Sequence, residues 1–186
     1  MATDSQPPKD TNPDLKVLWT RCALFVAVLG VLGSLHLSIS MELKACPLCF
    51  YQRAFMMAAA GMLAFGTFLP GMPTAALTVL ALPAACAGTG VAVWHTYLDA
   101  TGVLECPAGI SGFLTAPLES LIMFVLLMAL LLGDLFHQQK YVVQGIGAIL
   151  LGVVFCTTSI KATPAKMTEP HPAPLDGCRK MSTPKT

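Results

Sequence analysis

The sequence predicts an all-α fold: one bundle of helices that cross a membrane. Three observations carry this. Hydrophobic residues fill 55% of the 186 positions and charged residues only 11%, less than half of the roughly 25% charge typical of a soluble domain. No Asp, Glu, Lys or Arg occurs in the 45 residues from Ala54 to Leu98. The apolar segments come in lengths near the ~20 residues that a spanning helix needs, without the apolar–polar alternation of barrel strands. A net charge of +1 gives no general pull toward nucleic acid. A soluble enzyme, a disordered tail and a nucleic-acid binder are therefore excluded.

Residues 1–16, rich in Pro, Asp, Asn and Gln, read as a disordered arm. They lack signal-peptide shape, since the apolar segment behind them is too long and no small-residue cleavage site follows. Span one, about 17–39, is apolar apart from Arg21 at its start and His36 near its end. The uncharged stretch after it is broken by Pro70-Gly71-Met72-Pro73, a turn signal, and so holds spans two and three, about 50–69 and 74–96. Span four, about 118–136, keeps Glu119 and Asp134 near its ends. Span five, about 141–160, carries no charge. Residues 17–160 form one transmembrane domain without internal repeats. The last stretch, 161–186, has five Pro and no apolar periodicity, and reads as an extended tail.

Lys9, Lys16 and Arg21 near the first span favour a cytoplasmic N-terminus. Five spans then put residues 40–49, the 97–117 loop and the tail together on the far side. One feature points the other way. The tail holds Lys161, Lys166, Arg179, Lys180 and Lys185, and the positive-inside rule would keep it in the cytoplasm.

The seven Cys divide by position. Cys22, Cys86 and Cys156 fall inside apolar spans, where a thiol behaves as a small hydrophobe. Cys46, Cys49, Cys106 and Cys178 lie in loops or at helix ends, all on the outer side of this topology, where disulfides persist. The strongest local signal is Cys46-Pro47-Leu48-Cys49-Phe50-Tyr51-Gln52-Arg53, directly before span two. A helix start stabilises a thiolate and lowers its pKa, and Pro47 suits the first helical turn. Arg53 follows Cys49 by four residues, so the two share a helix face. Two roles are open to it: stabilising a thiolate or the anion of a reduced organic acceptor, or anchoring the span at the headgroups.

This pattern resembles the disulfide bond formation protein B (DsbB) family. Cys-x-x-Cys-x-Tyr-x-Arg stands at the outer end of span two, and Trp94-His95-Thr96-Tyr97-Leu98 is similar to that family's His-containing segment. Gly102 to Pro117, with Cys106, is similar to the end of its second outer loop. The resemblance covers about residues 17–136. It implies a four-helix core and a thiol:quinone oxidoreductase of the bacterial inner (plasma) membrane. That enzyme reoxidises a periplasmic thioredoxin-fold, DsbA-like thiol oxidase and passes electrons to ubiquinone or menaquinone. Cys46 and Cys49 would be the pair beside the quinone. Arg53 and His95 would bind that cofactor, and Cys106 would belong to the pair that meets the partner. For His95 the other reading is an interfacial residue bonded to a backbone carbonyl.

Two departures stand out. The family's second loop holds two Cys where residues 97–117 hold only Cys106, and span five with its tail is additional. Cys178 is the expected substitute, completing a second catalytic pair with Cys106. The 18 residues after Ile160, at about 3.3–3.6 Å each, are long enough to cross a small bundle. The opposing reading makes Cys178 a spare thiol on a cytoplasmic tail. A different class also stays open: a non-enzymatic membrane subunit with a structural disulfide or a four-cysteine zinc site. No resident metal is expected of the enzyme, and membrane lipid is its surrounding partner.

Overall fold

The computed structural model describes residues 13–68, 73–163 and 178–180. Five helices follow in order: α1 (Pro13–Ile39), α2 (Pro47–Phe68), α3 (Thr74–Ala100), α4 (Ala116–His137) and α5 (Val142–Ala162), the last entered through a 3-10 turn at Gln139–Tyr141. All five are long and apolar enough to cross a membrane, as an all-α bundle requires. Helices satisfy their own backbone hydrogen bonds, which hydrocarbon demands. The only strands among the described residues are β1 (Leu104–Glu105) and β2 (Arg179–Lys180), one antiparallel pair with Leu104 opposite Lys180. Residues 1–12 of the expected arm, 69–72 around the expected turn, and 164–177 and 181–186 of the tail lie outside the described residues.

Three helices begin earlier than the hydropathy count places them, α4 among them at Ala116. α1 starts at Pro13, inside the expected arm, and α2 starts at Pro47. Proline suits both positions, because its missing N–H would have been an orphan in the first turn. α3 runs four residues past the expected 96, to Ala100.

Helices α1 to α4 close a ring in which each packs on the next and α4 returns to α1, while α5 lies against α3. α3 is the core helix: 56% of its most apolar stretch is buried, against 11% in α1 and 17% in α5. Its run of Ala and Gly is the cause, since small residues let neighbouring backbones come close, and van der Waals packing is what joins helices in lipid. Glycines set every contact of the ring. A side-chain carbon at Gly30 would press on Met56, at Gly66 on Leu77, at Gly88 on Phe124 and at Gly133 on Trp19. α5 docks the same way, Gly152 meeting Cys86 and Pro83, and Gly90 meeting Cys156. Phe124, Leu63, Leu82, Leu127 and Leu131 fill the centre. At one end of the bundle the buried carboxylate of Asp134 accepts hydrogen bonds from Thr78 Oγ1 at 2.5 Å and Gln138 Nε2 at 2.8 Å, which offsets the cost of burying it.

At the other end α1, α3 and α5 finish, α2 and α4 begin, and β2 lies against β1. The described part of the tail therefore shares an end with the 101–115 loop. This agrees with the count of five spans and runs against the tail's Lys and Arg.

The packing of α5 makes a direct prediction. Gly152→Leu overfills the α3–α5 contact and should cost about 1–3 kcal/mol. Gly147 has no neighbour within 4 Å of an added side-chain carbon, so Gly147→Leu should leave stability unchanged. Thermal unfolding of the two variants in detergent checks this; equal melting temperatures would contradict the packing.

Candidate active site

The chemistry begins where α2 begins. Cys46 stands just before Pro47, and its carbonyl accepts the Phe50 N–H at 2.9 Å to close the first turn. Its sulfur accepts the Cys49 backbone N–H at 3.2 Å, the bond that a Ser or Asp makes at a helix N-cap. The Cys-x-x-Cys spacing thus turns the first sulfur into the cap and brings the second, three residues on, beside it. The two Sγ atoms are 3.1 Å apart and both thiols are free. The hydrogen bond from the Cys49 thiol is the main reason that the Cys46 pKa falls from 9.0 to about 5. Burial opposes the fall, while the His95 imidazole and the Cys49 N–H add to it.

A second pair meets the first. Cys106 and Cys178 are joined in a disulfide across 72 residues, with Cα atoms 4.2 Å apart, flanked by the β1–β2 pair. The Cys106 N–H donates to Asp99 Oδ1 at 3.3 Å, which ties this loop to the end of α3. His95, on α3, is fully buried between the pairs. Its Nε2 lies 3.4 Å from Cys106 Sγ, 3.4 Å from Cys178 Sγ and 3.8 Å from Cys46 Sγ. On its other side Nδ1 is 3.2 Å from Gln52 Nε2.

Beside the sulfurs a cavity of about 490 Å³ opens between α1, α2, α4 and the 107–111 loop. Leu29, Met56, Ile110, Ile122 and Phe124 give it apolar walls, and Cys49, Gln52 and Arg53 reach it from α2. Arg53 donates from Nε to Ser34 Oγ at 2.8 Å, and from Nη2 to Ser34 O at 2.9 Å and to Ser38 Oγ. The loop is held over the cavity by Glu119, whose carboxylate accepts the N–H groups of Ile110 and Ser111 at 2.7 and 2.8 Å.

All six residues expected from the sequence stand at this end. Cys46, Cys49, Cys106, Cys178 and His95 are in one cluster, and Arg53 is on the cavity wall. His95 contacts the sulfurs and is not part of the cavity lining; Gln52 stands between the two. Sequence reasoning missed Gln52, Ser34, Ser38 and Glu119. Gln52 alone had a local signal, a polar residue one turn after Cys49 in an apolar helix. Cys46, Cys49, His95 and Cys178 keep their donor atoms within 4.8 Å of one another, the donor types of a soft-metal site. Cys178, however, is committed to Cys106, and with Gln52 Nε2 donating to Nδ1 the imidazole turns an N–H toward the sulfurs and not a lone pair.

A helix-capping thiol pair, a second disulfide and a shared imidazole, in a bundle of five spanning helices, define a multi-pass membrane oxidoreductase of thiols and disulfides. Residues 16–129 match the family described as disulfide bond formation protein DsbB, and the chain belongs to that family. It is 29% identical over 136 residues to disulfide bond formation protein C of Bacillus subtilis (strain 168), covering 64% of this chain and 96% of that one. It is 27% identical over 131 residues to a probable disulfide formation protein of Chlamydia muridarum, covering 63% and 95%. Disulfide bond formation protein B 2 of Burkholderia lata is 36% identical over 92 residues, covering 47% and 52%. No solved structure matches. The protein is a membrane disulfide-forming protein, and α5 and Cys178 lie beyond the family match.

The capped sulfur predicts a pH profile. A thiolate fraction rises with pH, so a pKa of about 5 leaves Cys46 charged throughout the neutral range. Iodoacetamide labelling of Cys46 in the reduced protein should reach half its plateau near pH 5. A midpoint in the ordinary thiol range, about 8.5, would contradict the capping arrangement.

Proposed function

We infer that the protein is a thiol:quinone oxidoreductase of the bacterial inner membrane, with its four site cysteines on the periplasmic side. It reoxidises a thioredoxin-fold, DsbA-like disulfide donor and passes the electrons to ubiquinone or menaquinone. The observation that carries this reading is the division of the sulfurs. Cys106–Cys178 joins the outer loop to the tail, Cys46 faces it across His95, and Cys49 opens onto the apolar cavity, whose lining Cys178 also joins.

The cavity suits a quinone. Its volume lies within the roughly 300–1,000 Å³ of small-molecule sites, which are apolar with a few polar contacts. Gln52 and Arg53 supply those contacts. Nε and Nη2 of Arg53 are committed to α1, and Nη1 is the arm that this arrangement offers to a ligand oxygen. A quinone bound there supplies a two-electron, two-proton acceptor.

The chain's own part is a sequence of exchanges. A partner thiolate attacks Cys106, forming a mixed disulfide and expelling Cys178 as thiolate. Cys178 attacks Cys46 of an oxidised Cys46–Cys49 pair, forming a Cys46–Cys178 bond and expelling Cys49 as thiolate at the cavity wall. The partner's second thiolate attacks its own sulfur in the mixed disulfide and leaves oxidised, freeing Cys106. Cys106 attacks Cys178 and expels Cys46. The electron pair then rests on Cys46 and Cys49 with Cys106–Cys178 restored, the arrangement described above. The β1–β2 pair holding Cys178 spans only two residues on each side, so opening it to a partner disrupts little.

Quinone reduction by the purified protein, driven by a reduced thioredoxin-fold protein, tests this. Ser at Cys46, Cys49, Cys106 or Cys178 should abolish turnover, and Ser at Cys22, Cys86 or Cys156 should not. Arg53→Lys keeps the charge but loses the planar fork, so the quinone KM should rise about tenfold, the equivalent of one weakened charged hydrogen bond. Full activity in Cys46→Ser, or stoichiometric zinc without quinone reduction, would overturn the reading.

A further inference from the structure

One ring nitrogen faces three of the four site sulfurs. His95 Nε2 is 3.4 Å from Cys106, 3.4 Å from Cys178 and 3.8 Å from Cys46; Cys49, the sulfur outside this set, lines the cavity, as Cys178 does from the tail. The ring is 0% exposed, so water does not compete for it. An amide nitrogen only donates. Gln52 Nε2, 3.2 Å from Nδ1, therefore makes Nδ1 an acceptor and leaves the proton on Nε2, pointing at the sulfurs. Gln52 is itself 4% exposed. Two buried polar side chains on neighbouring spanning helices are costly in lipid and mark function more often than packing.

We propose that His95 is the catalytic hydrogen-bond donor of the exchange between the two cysteine pairs, serving thiol chemistry and not cofactor binding, and that Gln52 is the positioning residue that fixes its tautomer. This rests on the thiol:quinone reading and assigns its internal steps. In each step one thiolate forms a new S–S bond, the old bond breaks, and the electron pair leaves on the departing sulfur. The charge starts on Cys178 and passes to Cys49. In the return step it starts on Cys106 and passes to Cys46. Three of these four sulfurs lie around the same N–H, so one donor, already oriented, meets the single negative charge on every site sulfur but Cys49. A donor preorganised in a dry site stabilises developing charge without reorganisation, and its loss typically costs about 10²–10³ in rate.

The test uses the full chain in lipid nanodiscs made without quinone, both cysteine pairs oxidised. Dithiothreitol is added, the reaction is quenched in acid, and maleimide mass tags report when Cys46 and Cys49 become free. His95→Ala should slow arrival of electrons at that pair about 100-fold and move the rate's rise with pH to higher pH. His95→Gln, which restores an N–H donor, should recover at least tenfold of the loss. Gln52→Leu should slow transfer about tenfold. Binding of ubiquinone-1 to His95→Ala, measured by calorimetry, should stay within twofold of wild type. Wild-type rate and pH profile in His95→Ala would overturn the proposal, as would weakened ubiquinone-1 binding with the rate kept. If His95→Ala does not fold, wild-type behaviour of both His95→Gln and Gln52→Leu overturns it equally. A wild-type protein whose Cys46–Cys49 pair accepts no electrons would instead overturn the thiol:quinone reading, and this proposal with it.

Discussion

The arrangement of the whole molecule depends on a buried imidazole that must be satisfied inside a membrane bundle. His95 sits near the outer end of α3 with no access to water, and its hydrogen-bond partners come from three other segments: Gln52 and Cys46 with α2, Cys106 from the loop after α3, and Cys178 from the tail. Each must be delivered to within about 4 Å. The Ala- and Gly-rich face of α3 does this for α2, because small side chains allow close backbones. The α3–α5 contact through Gly90 and Gly152 does it for the tail. Helix packing far from the sulfurs is thus what sets the sulfur geometry.

The same logic separates two environments that the chemistry needs apart. On the α3 side of Cys46 and Cys49 lies the imidazole; on the α1 and α4 side lies an apolar cavity that Cys49 and Cys178 both line. Arg53 is clamped to Ser34 and Ser38, which holds α1 at the cavity wall and fixes the guanidinium. Glu119 holds the 110–111 backbone over the mouth. The helix cap ties these together, since Cys46 can receive a thiolate charge and pass its partner sulfur toward the cavity within one turn of α2.

Much of this was legible in the sequence. Five apolar segments read as five helices because a spanning helix must be apolar along its whole length and long enough to cross. The Cys-x-x-Cys signal read as a helix start because the cap and the proline at the first position are local. Where the reading was incomplete, the cause lay in contacts between distant residues. Hydropathy placed the start of α2 at 50, since it does not register a sulfur acting as a cap at Cys46. Ser34, Ser38 and Glu119 carry no pattern of their own and Gln52 only its polarity in an apolar helix, and all four acquire meaning only when α1, α3 and the loop come beside them. For the tail two local signals disagreed, its positive charge and the odd number of spans. The loop–tail disulfide and the β1–β2 pair agree with the span count.

What distinguishes this chain from the family match that ends at 129 is that its second disulfide is completed by a tail after a fifth helix. On the proposed function, electrons then cross between a tail cysteine and the helix-capping pair. A Cys49→Ser, Cys106→Ser double variant leaves Cys46 and Cys178 as the only site thiols, with no other partner at the site for either. Mass spectrometry of its non-reduced, alkylated peptides after mild oxidation reads the outcome directly. The structure predicts a Cys46–Cys178 linked peptide as the dominant species; free alkylated Cys46 and Cys178 in the same sample would contradict it.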